Sequence, residues 1–371
     1  MGGTDYTNQL EEILVCRDIH PGGNRPWDIQ IHDRRFARRV LTEGSLGLGE
    51  SYMDGWWDCE RLDEFFYRIL RDKLDCTITC RNILAAIRAR LLNPQKVSRA
   101  FQIGEHHYDI GNDLYQAMLD PAMIYSCGYW KEADTLTQAQ EAKMDLVCRK
   151  LHLERGMRVL DIGCGWGGMA RYAAEHYGVS VVGITVSKEQ AALARERCKG
   201  LDVEIRLEDY RSLDDRFDRI LSLGMFEHVG YKNYRTFMRV ARKNLQDDGI
   251  FLLHTIGSRY SSRSTDPWIA KYIFPNSQIP SAAQITAAAE PDWIIEDWHN
   301  FGADYDTTLM AWFANFDRAW PRLKDRYGQR FYRMWKYYLL ACAGSFRARK
   351  NHLWQIVFMP DGMPGGYLAP R

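Results

Sequence analysis

A loop rich in glycine suggests ligand binding through the backbone. The segment RVLDIGCGWGGMARYAAEHYG at 158–178 runs from an apolar strand through Gly163, Gly165 and Gly167 into a helix-forming stretch. Alternating glycines let the chain turn tightly and let a ligand approach where a side chain would collide. A dinucleotide-binding loop is spaced G-x-G-x-x-G and is followed by an acid about 20 residues later. Here the spacing is G-x-G-x-G, and the next predicted strand ends at Thr185 without a carboxylate.

An acid and an imidazole, which together could hold or move a proton, follow two other apolar segments. Glu227 comes after the predicted strand Arg219–Leu223, and His254 lies near the end of the predicted strand Ile250–Thr255. In doubly wound folds the ligand site lies beyond the carboxyl ends of the strands. We therefore expect Glu227 and His254 at one edge of the sheet. A helix-capping Glu227 and a buried, hydrogen-bonded His254 are the structural alternatives.

These residues need a sheet to position them, and the second part of the chain predicts one. From about residue 116, apolar strand candidates alternate with helix-forming stretches, which indicates an α/β domain with a doubly wound, mostly parallel sheet. The strand candidates are Arg158–Ile162, Ser180–Thr185, Val203–Leu207, Arg219–Leu223 and Ile250–Thr255.

The pattern before that sheet is different. Residues 1–94 predict a smaller, mainly helical domain, 95–115 a linker, and 116–371 the larger domain. The segment EGSLGLGESYMDGWWD at 43–58 is interpreted as a turn punctuated by glycine. The segment RNILAAIRARLL at 81–92 places an apolar stripe between Arg81, Arg88 and Arg90 at helical spacing. Such a helix suits an anionic lipid surface or a protein core, and the sequence leaves both open.

The charge balance excludes a dedicated nucleic-acid binder, because 49 basic and 48 acidic residues give a net charge of +1. Nine cysteines are scattered along a chain without a secretory segment, which predicts free thiols and a cytoplasmic location. No apolar run is long enough for a transmembrane helix. Cys76 and Cys80 lack a second pair at zinc spacing, and a linker is favoured over a metal site for His106, His107 and Asp109. We expect no bound metal.

The motif D-x-G-x-G-x-G after the first strand resembles that of class I, Rossmann-like methyltransferases dependent on S-adenosylmethionine (SAM). Many of those proteins end the second strand in an acid that binds the ribose, and here Gln190 is expected to make that hydrogen bond. The resemblance implies that SAM is bound by Tyr125, Ser126, Val159, Leu160, Asp161, Ile162, Gly163, Cys164, Gly165, Trp166, Gly167, Thr185, Val186, Ser187, Lys188, Glu189, Gln190, Asp209, Tyr210 and Arg211.

Longer stretches in both predicted domains resemble bacterial cyclopropane-fatty-acyl-phospholipid synthases. The catalytic part is also similar to mycolic acid cyclopropane synthases. The segments that carry the resemblance are EGSLGLGESYMDGWW (43–57), EHHYDIGNDLY (105–115), YSCGYW (125–130), LDIGCGWGG (160–168), GMFEHVG (224–230), LLHTIG (252–257), WHNFGADYDTTLMAW (298–312) and ACAGSFRAR (341–349).

This resemblance implies a particular base. An alkene that attacks a sulfonium methyl group develops a cation, and a proton must leave the new methyl group before a ring closes. The family uses a bound bicarbonate ion for that proton. Its expected ligands here are Cys127, Glu227, His254, Tyr305 and the backbone of Ile256. The match also marks Cys342 as a suspected active-site residue, with a core thiol as the alternative.

The implied function is transfer of a methylene unit from SAM to the cis double bond of unsaturated acyl chains in membrane phospholipids, forming a cyclopropane ring. A lipid methyltransferase that gives methyl-branched or methylene products is the enzymatic alternative. A lipid-binding protein without turnover is the alternative from another class. The resemblance further implies an unsaturated phospholipid as partner, peripheral association with the inner face of the membrane, and a homodimer.

Overall fold

The computed structural model describes residues 6–71 and 111–371. Its strands are β1 (Gln30–Ile31), β2 (Trp57–Asp58), β3 (Arg158–Ile162), β4 (Ser180–Thr185), β5 (Val203–Leu207), β6 (Phe217–Leu223), β7 (Leu245–Ser258), β8 (Ile294–Asn300) and β9 (Asn351–Met359). β1 and β2 form a small antiparallel pair. The other strands form a seven-stranded sheet in the order β5-β4-β3-β6-β7-β9-β8. β3 to β7 are parallel, whereas β9 is antiparallel to both of its neighbours.

Helices flank the sheet and form the N-terminal part. They are α1 (Tyr6–Val15), α2 (Phe36–Glu43), α3 (Ser45–Met53), α4 (Leu62–Arg71), α5 (Asn112–Met118), α6 (Leu136–Lys150), α7 (Gly168–Tyr177), α8 (Lys188–Arg197), α9 (Tyr234–Asn244), α10 (Pro267–Tyr272), α11 (Ala282–Ala289) and α12 (Asp304–Arg347). Capping boxes at Thr135 and Ser281 begin α6 and α11. The long helix α12 bends at Gly328, whose φ of 75° and ψ of 164° are not helical.

The sheet is apolar on both faces because helices cover both of them. Successive strand residues point to opposite faces. Val159, Val181 and Leu221 therefore enter one core, and their neighbours Leu160, Val182 and Ile220 enter the other. This pattern of continuous apolar strands is typical of a parallel sheet buried between helices.

The N-terminal helices pack against α12, the helix that carries Tyr305. A Cβ atom on Gly344 of α12 would lie 2.5 Å from the carbonyl oxygen of Asp63 on α4, so the two helices approach closely there. Arg347 at the end of α12 lies 2.7 Å from Asp63 and 2.8 Å from Asp306. One apolar core consequently joins the N-terminal helices to the helix that borders the site.

The structure confirms the doubly wound α/β prediction. It corrects the predicted bounds of some strands and the interpretation of residues 43–58. β3, β4 and β5 have the predicted bounds, whereas β6 and β7 begin earlier and β7 also ends later. The antiparallel strands β1, β2, β8 and β9 were not predicted. The glycine-punctuated turn at 43–58 was wrong in its first part, since α3 occupies Ser45–Met53. The arginine-flanked stripe at 81–92 and most of the predicted linker lie outside the described residues. The linker's final residues belong to α5.

Candidate active site

The glycine loop between β3 and α7 turns back at the carboxyl edge of the sheet. Gly163, Gly165 and Gly167 have φ angles of 86°, 54° and 79°, in the region that favours glycine. A Cβ atom on Gly163 would lie 2.8 Å from the side chain of Met225, so this position also requires the absence of a side chain. The loop is tied to β4, because the Gly163 N–H donates to the Ile184 carbonyl oxygen at 3.0 Å.

A cavity opens beside this loop, where β3 lies between β4 and β6 and the order of the strands reverses. Ligands of doubly wound folds bind at such a point. Most of the residues predicted to bind the cofactor line the cavity. They are Tyr125, Ser126, Asp161, Ile162, Gly163, Cys164, Gly165, Trp166, Thr185, Val186, Gln190, Asp209, Tyr210 and Arg211.

The remaining predicted residues do not line the cavity. Val159 and Leu160 are strand residues whose side chains fill the two cores. Gly167 precedes α7, and Ser187 caps α8 by accepting a hydrogen bond from the Gln190 N–H at 3.3 Å. Lys188 and Glu189 follow on the exposed surface of α8. The predicted cofactor residues form continuous runs in the sequence, but only some residues of a strand or helix face a ligand.

Two polar contacts orient side chains at the cavity wall. Thr185 Oγ1 donates to Gln190 Oε1 at 3.0 Å, which leaves the amide nitrogen as the donor end of Gln190 toward a ligand. The Arg211 guanidinium holds both Asp209 carboxylate oxygens, with Nε and Nη2 each at 2.8 Å. The Asp209 carboxylate is therefore paired within the protein.

A buried lysine lies behind the opposite wall. Lys143 Nζ donates to Ser126 Oγ at 3.0 Å. Burial lowers the pKa of Lys143 to about 8 and raises the pKa of Asp161 to about 7. Asp161 Oδ2 is buried and has no hydrogen-bond partner in the part of the chain that the structure describes. The Asp161 carboxyl group is thus placed to interact with a donor on a ligand.

Glu227 lies in the short 3-10 helix Phe226–His228 that follows β6. Its Oε1 accepts a hydrogen bond of 2.7 Å from the Ile256 N–H, while its buried Oε2 has no partner among residues 6–71 and 111–371. Burial raises the pKa of Glu227 to about 7. Ile256 is predicted to hold an anion through its backbone, and in the structure its N–H donates to Glu227. A buried oxygen without a partner is costly.

His254 lies two residues before Ile256 on β7, and only 1% of its surface is exposed. Its Nδ1 lies 3.4 Å from Gln355 Nε2. Its Nε2 is buried and has no hydrogen-bond partner within the described ranges. Burial, assisted by the positive charges of Lys143 and Lys150, holds the pKa of His254 well below its usual value. The imidazole is therefore neutral at physiological pH.

Tyr305, near the start of α12, closes the site. Its ring stacks on Phe346 with centroids 4.4 Å apart and meets Trp312 edge-on at 6.0 Å. Burial raises the pKa of Tyr305 well above its usual value, and the nearby Cys127, Glu227 and Cys342 raise it further. The phenol therefore stays protonated and can donate a hydrogen bond. The fold thus brings together side chains that are distant in sequence.

Cys127 is fully buried, and burial raises the pKa of its thiol well above the usual value. The thiol donates to the Gly128 carbonyl oxygen at 3.2 Å. Thr308 on α12 anchors this segment, since its Oγ1 accepts hydrogen bonds from the Gly128 N–H at 3.1 Å and from Trp130 Nε1 at 2.8 Å. The Cys127 thiol therefore stays protonated near neutral pH and donates within the protein.

Cys342 lies partly buried on α12 among aromatic side chains. Burial raises the pKa of its thiol to about 12. The influence of Cys342 on the pKa of Tyr305 places the thiol near the site. The protonated thiol supports the interpretation of a structural residue bordering the site.

Sequence reasoning missed several residues that shape the site. His228 and Met225 line the cavity, and their position beside Glu227 in GMFEHVG was an available signal. Lys143, Thr308 and Gln355 act on predicted site residues from elsewhere in the chain. No local motif marks these three, because their roles arise only when distant elements pack together.

Two features are absent from the described part of the chain. Among residues 6–71 and 111–371, no group of three or more His, Cys, Asp or Glu side chains could hold a metal ion. No helix in the described part of the chain combines the length and the apolar character needed to cross a membrane.

Comparisons with known proteins agree with this geometry. The family model for mycolic acid cyclopropane synthetase matches residues 95–356. The cyclopropane-fatty-acyl-phospholipid synthase of Escherichia coli (strain K12) is 58% identical over 362 residues, covering 97% of this chain and 94% of that protein. A probable fatty acid methyltransferase of Pseudomonas putida is 38% identical over 278 residues, covering 71% of each chain. The structure of the mycolic acid cyclopropane synthase CmaA1 with SAH and CTAB superposes with a TM-score of 0.66 at 31% identity, covering 70% of this chain and 97% of that one.

The sheet order and the glycine loop define the class I SAM-dependent methyltransferase fold. Within that class, the chain belongs to the mycolic acid cyclopropane synthetase family and is an enzyme of the methyltransferase type. The SAH-bound relative supports binding of SAM by this chain.

Proposed function

We propose that the protein transfers a methylene unit from SAM to the cis double bond of unsaturated acyl chains in membrane phospholipids and so forms a cyclopropane ring. The observation that carries this proposal is that Glu227 Oε2 and His254 Nε2 are buried without partners among the described residues. Both residues neighbour the cavity lining, since Glu227 precedes His228 in the chain and His254 pairs with Leu223 across the sheet. The high identity to a protein named cyclopropane-fatty-acyl-phospholipid synthase supports the choice of substrate.

The reaction demands such a pair. SAM, when bound, supplies a methyl group on a positively charged sulfur, and the alkene adds to that carbon. The lipid then carries a cation, and the new methyl group must lose a proton before its carbon closes the ring. The carbon–sulfur bond of SAM breaks as the new carbon–carbon bond forms, so the net change adds CH2 to the lipid and releases SAH and a proton. A base must therefore lie deep in an apolar site, where the cation escapes water.

The residues present fit a small planar anion such as bicarbonate. Bicarbonate, when bound, would supply the base for that proton. A neutral His254 and the Tyr305 hydroxyl would hold the anion by donating hydrogen bonds, and an ionised Glu227 would accept one from its hydroxyl group. The Ile256 N–H fixes the Glu227 carboxyl group at 2.7 Å. Each group thereby has a task that matches its protonation state.

The surroundings suit an acyl chain and a transient cation. Trp312 lies between the two parts of the site, with its ring 5.2 Å from Tyr125 at the SAM cavity and 6.0 Å from Tyr305. Tyr125 in turn shares a hydrogen bond of 2.8 Å with Tyr338. Aromatic faces stabilise a desolvated cation by about 0.5–2 kcal/mol each. Water-excluding aromatic walls also protect the cation from capture by water.

The test is an assay with SAM labelled in its methyl group and vesicles that contain an unsaturated phospholipid. Mass spectrometry should show lipid that has gained one CH2 and lost one double bond. A methyl-branched alkene would support the alternative lipid methyltransferase. Absence of label in the lipid, with SAM binding intact, would favour a lipid-binding protein without turnover.

Membrane association and a homodimer are further parts of the proposal. They are supported by the resemblance to enzymes that act on bilayer lipid and by the arginine-flanked stripe of residues 81–92. Flotation with anionic vesicles should weaken when Arg81, Arg88 and Arg90 are changed to Glu. Unchanged flotation would refute that role. Sedimentation equilibrium would establish whether the protein is a dimer.

A further inference from the structure

Gln355 contacts Nδ1 of the His254 ring. The other ring nitrogen, Nε2, has no partner among the described residues. The two residues are direct partners in the antiparallel register of β7 and β9. The separation of Gln355 Nε2 and His254 Nδ1 is 3.4 Å. Gln355 has no exposed surface, so solvent does not compete for this contact. The sheet itself therefore sets the position of the amide against the imidazole.

The contact decides which ring nitrogen carries the proton. A neutral imidazole has one N–H and one bare nitrogen. Burial keeps His254 neutral, and Lys143 and Lys150 act in the same direction. In the orientation that the Gln355 amide takes here, its nitrogen faces His254 and can only donate, so Nδ1 accepts, while Gln355 Oε1 is buried without a partner among the described residues. The imidazole proton then lies on Nε2, the nitrogen without a partner among the described residues.

We propose that Gln355 is a positioning residue that fixes His254 as the Nε2–H tautomer, so that the imidazole presents a donor and no base to the site. This proposal rests on the proposed function where it names the recipient, a bound anion. The tautomer itself does not depend on the reaction. If the proposal holds, His254 anchors an anion and takes no part in removing the proton.

The opposite tautomer would conflict with its surroundings. A bare Nε2 would offer only an acceptor to the acceptor oxygens of a bound anion. Two facing acceptors repel and leave buried lone pairs unsatisfied. Gln355 prevents this arrangement because its own amide hydrogen already occupies the position at Nδ1.

The first test measures the tautomer in the protein without ligands. Nitrogen-15 NMR of protein labelled at histidine, with the His254→Gln variant to assign the signal, should show a neutral ring protonated at Nε2. A ring protonated at Nδ1, or at both nitrogens, would overturn the proposal. If the tautomer is as expected and no label enters lipid, the proposed function fails and this assignment stands.

The second test reverses the polarity at position 355. Glu and Gln have the same shape, but an ionised carboxylate in Gln355→Glu can only accept. It would favour the tautomer with the proton on Nδ1, which leaves Nε2 without one. We expect kcat to fall about 100-fold, a typical size for a displaced proton-bearing group, with SAM affinity within about twofold. In Gln355→Leu, which leaves either tautomer available, kcat should fall less. Gln246→Glu, at the start of β7 and distant along that strand from His254, controls for added charge.

The pH profile separates positioning from packing. The new carboxyl group would lie between His254 of β7 and His299 of β8, and Lys150 of α6 lies 3.2 Å from the His299 ring. Once protonated at low pH, it can again donate to Nδ1, so Gln355→Glu should regain activity relative to Gln355→Leu as pH falls. Equal losses in both variants at every pH, in proportion to their thermal stability, would show a packing role and overturn the proposal.

Discussion

The SAM cavity and the proposed anion site, which comprises Glu227, His254 and Tyr305, lie at the same edge of the sheet but differ in how their polar atoms are paired. In the cavity, polar side chains are paired within the protein, as Asp209 is with Arg211 and Thr185 with Gln190. At the anion site, Glu227 Oε2 and His254 Nε2 are buried without partners in the described residues. In the cavity, these polar side chains already have hydrogen-bond partners in the protein. The two atoms of the proposed anion site would gain partners from a ligand.

This difference indicates how each region recognises its ligand. The cavity offers backbone groups, a complementary shape and oriented donors. Its ligand therefore gains affinity without having to pair a buried polar atom that lacks a partner. The anion site carries an electrostatic cost, visible in the raised pKa of Glu227, which a ligand with both donor and acceptor character would relieve. Asp161 is the exception within the cavity, because its Oδ2 also lacks a partner among the described residues.

The largest effect should come from Glu227→Gln, which would break the anion site and spare the cavity. The amide keeps the shape and can still accept from the Ile256 N–H, but it cannot become an anion. We expect kcat to fall by about 1,000-fold, within the range for loss of a group that handles protons. The measurement is label transfer to lipid, with SAH affinity by calorimetry as the control. A comparable loss of SAH affinity would contradict the separation of the two regions.

The same variant should make the protein more stable at high pH. Burial raises the pKa of Glu227 from 4.5 to about 7, so the folded protein holds a proton that the unfolded chain releases between these values. Stability due to this group therefore falls as pH rises through that window. Removing the ionisable group should raise the free energy of unfolding by about 3 kcal/mol above pH 7, from the conversion of about 1.4 kcal/mol per pKa unit.

Urea unfolding of wild-type protein and Glu227→Gln at several pH values would check this prediction. The two curves should converge below pH 4.5, where the carboxyl group is neutral in both states. A stability difference that does not change with pH would indicate a packing effect of the substitution and no buried proton.

Gly163→Ala should have the opposite effect to Glu227→Gln, because it should damage the SAM cavity and leave the proposed anion site intact. A Cβ atom there would lie 2.8 Å from Met225, at a φ of 86° that L side chains rarely adopt. We expect SAH affinity to fall about 30-fold, which corresponds to strain of about 2 kcal/mol. The control is Gly200→Ala, with a φ of 84° and no atom within 4 Å of the added carbon. Equal losses in both variants would contradict a local effect.

The cavity could be predicted from the sequence because one continuous motif builds its loop. Strand β3 and the glycines that follow determine the local backbone, and the carboxyl edge of a parallel sheet determines where it lies. The motif could not show which residues face the ligand. Lys188 and Glu189 were included by their place in the chain, but they lie exposed on α8.

For the proposed anion site, Glu227 and His254 could be predicted from their places after apolar strands, but Cys127, Tyr305 and Ile256 only through resemblance, since the residues come from separate elements. Gln355 illustrates the limit, because it meets His254 through β9, an antiparallel strand that the sequence pattern did not reveal. Long-range strand pairing depends on the whole fold and leaves no signature near either residue. The tautomer of a buried histidine is therefore a property that the sequence alone does not predict.

The smallest effect should come from Cys342→Ala, which tests whether the anion site includes a reactive thiol. Burial raises the pKa of this thiol to about 12, so almost none of it is ionised near neutral pH. Methyl transfer to an alkene needs no covalent nucleophile, and the substitution removes only one sulfur atom beside Tyr305. We expect kcat to change less than about twofold and alkylation of the wild-type thiol to be slow. A loss above about tenfold with normal thermal stability would place Cys342 among the catalytic groups, and the anion site would then extend along α12 beyond Tyr305.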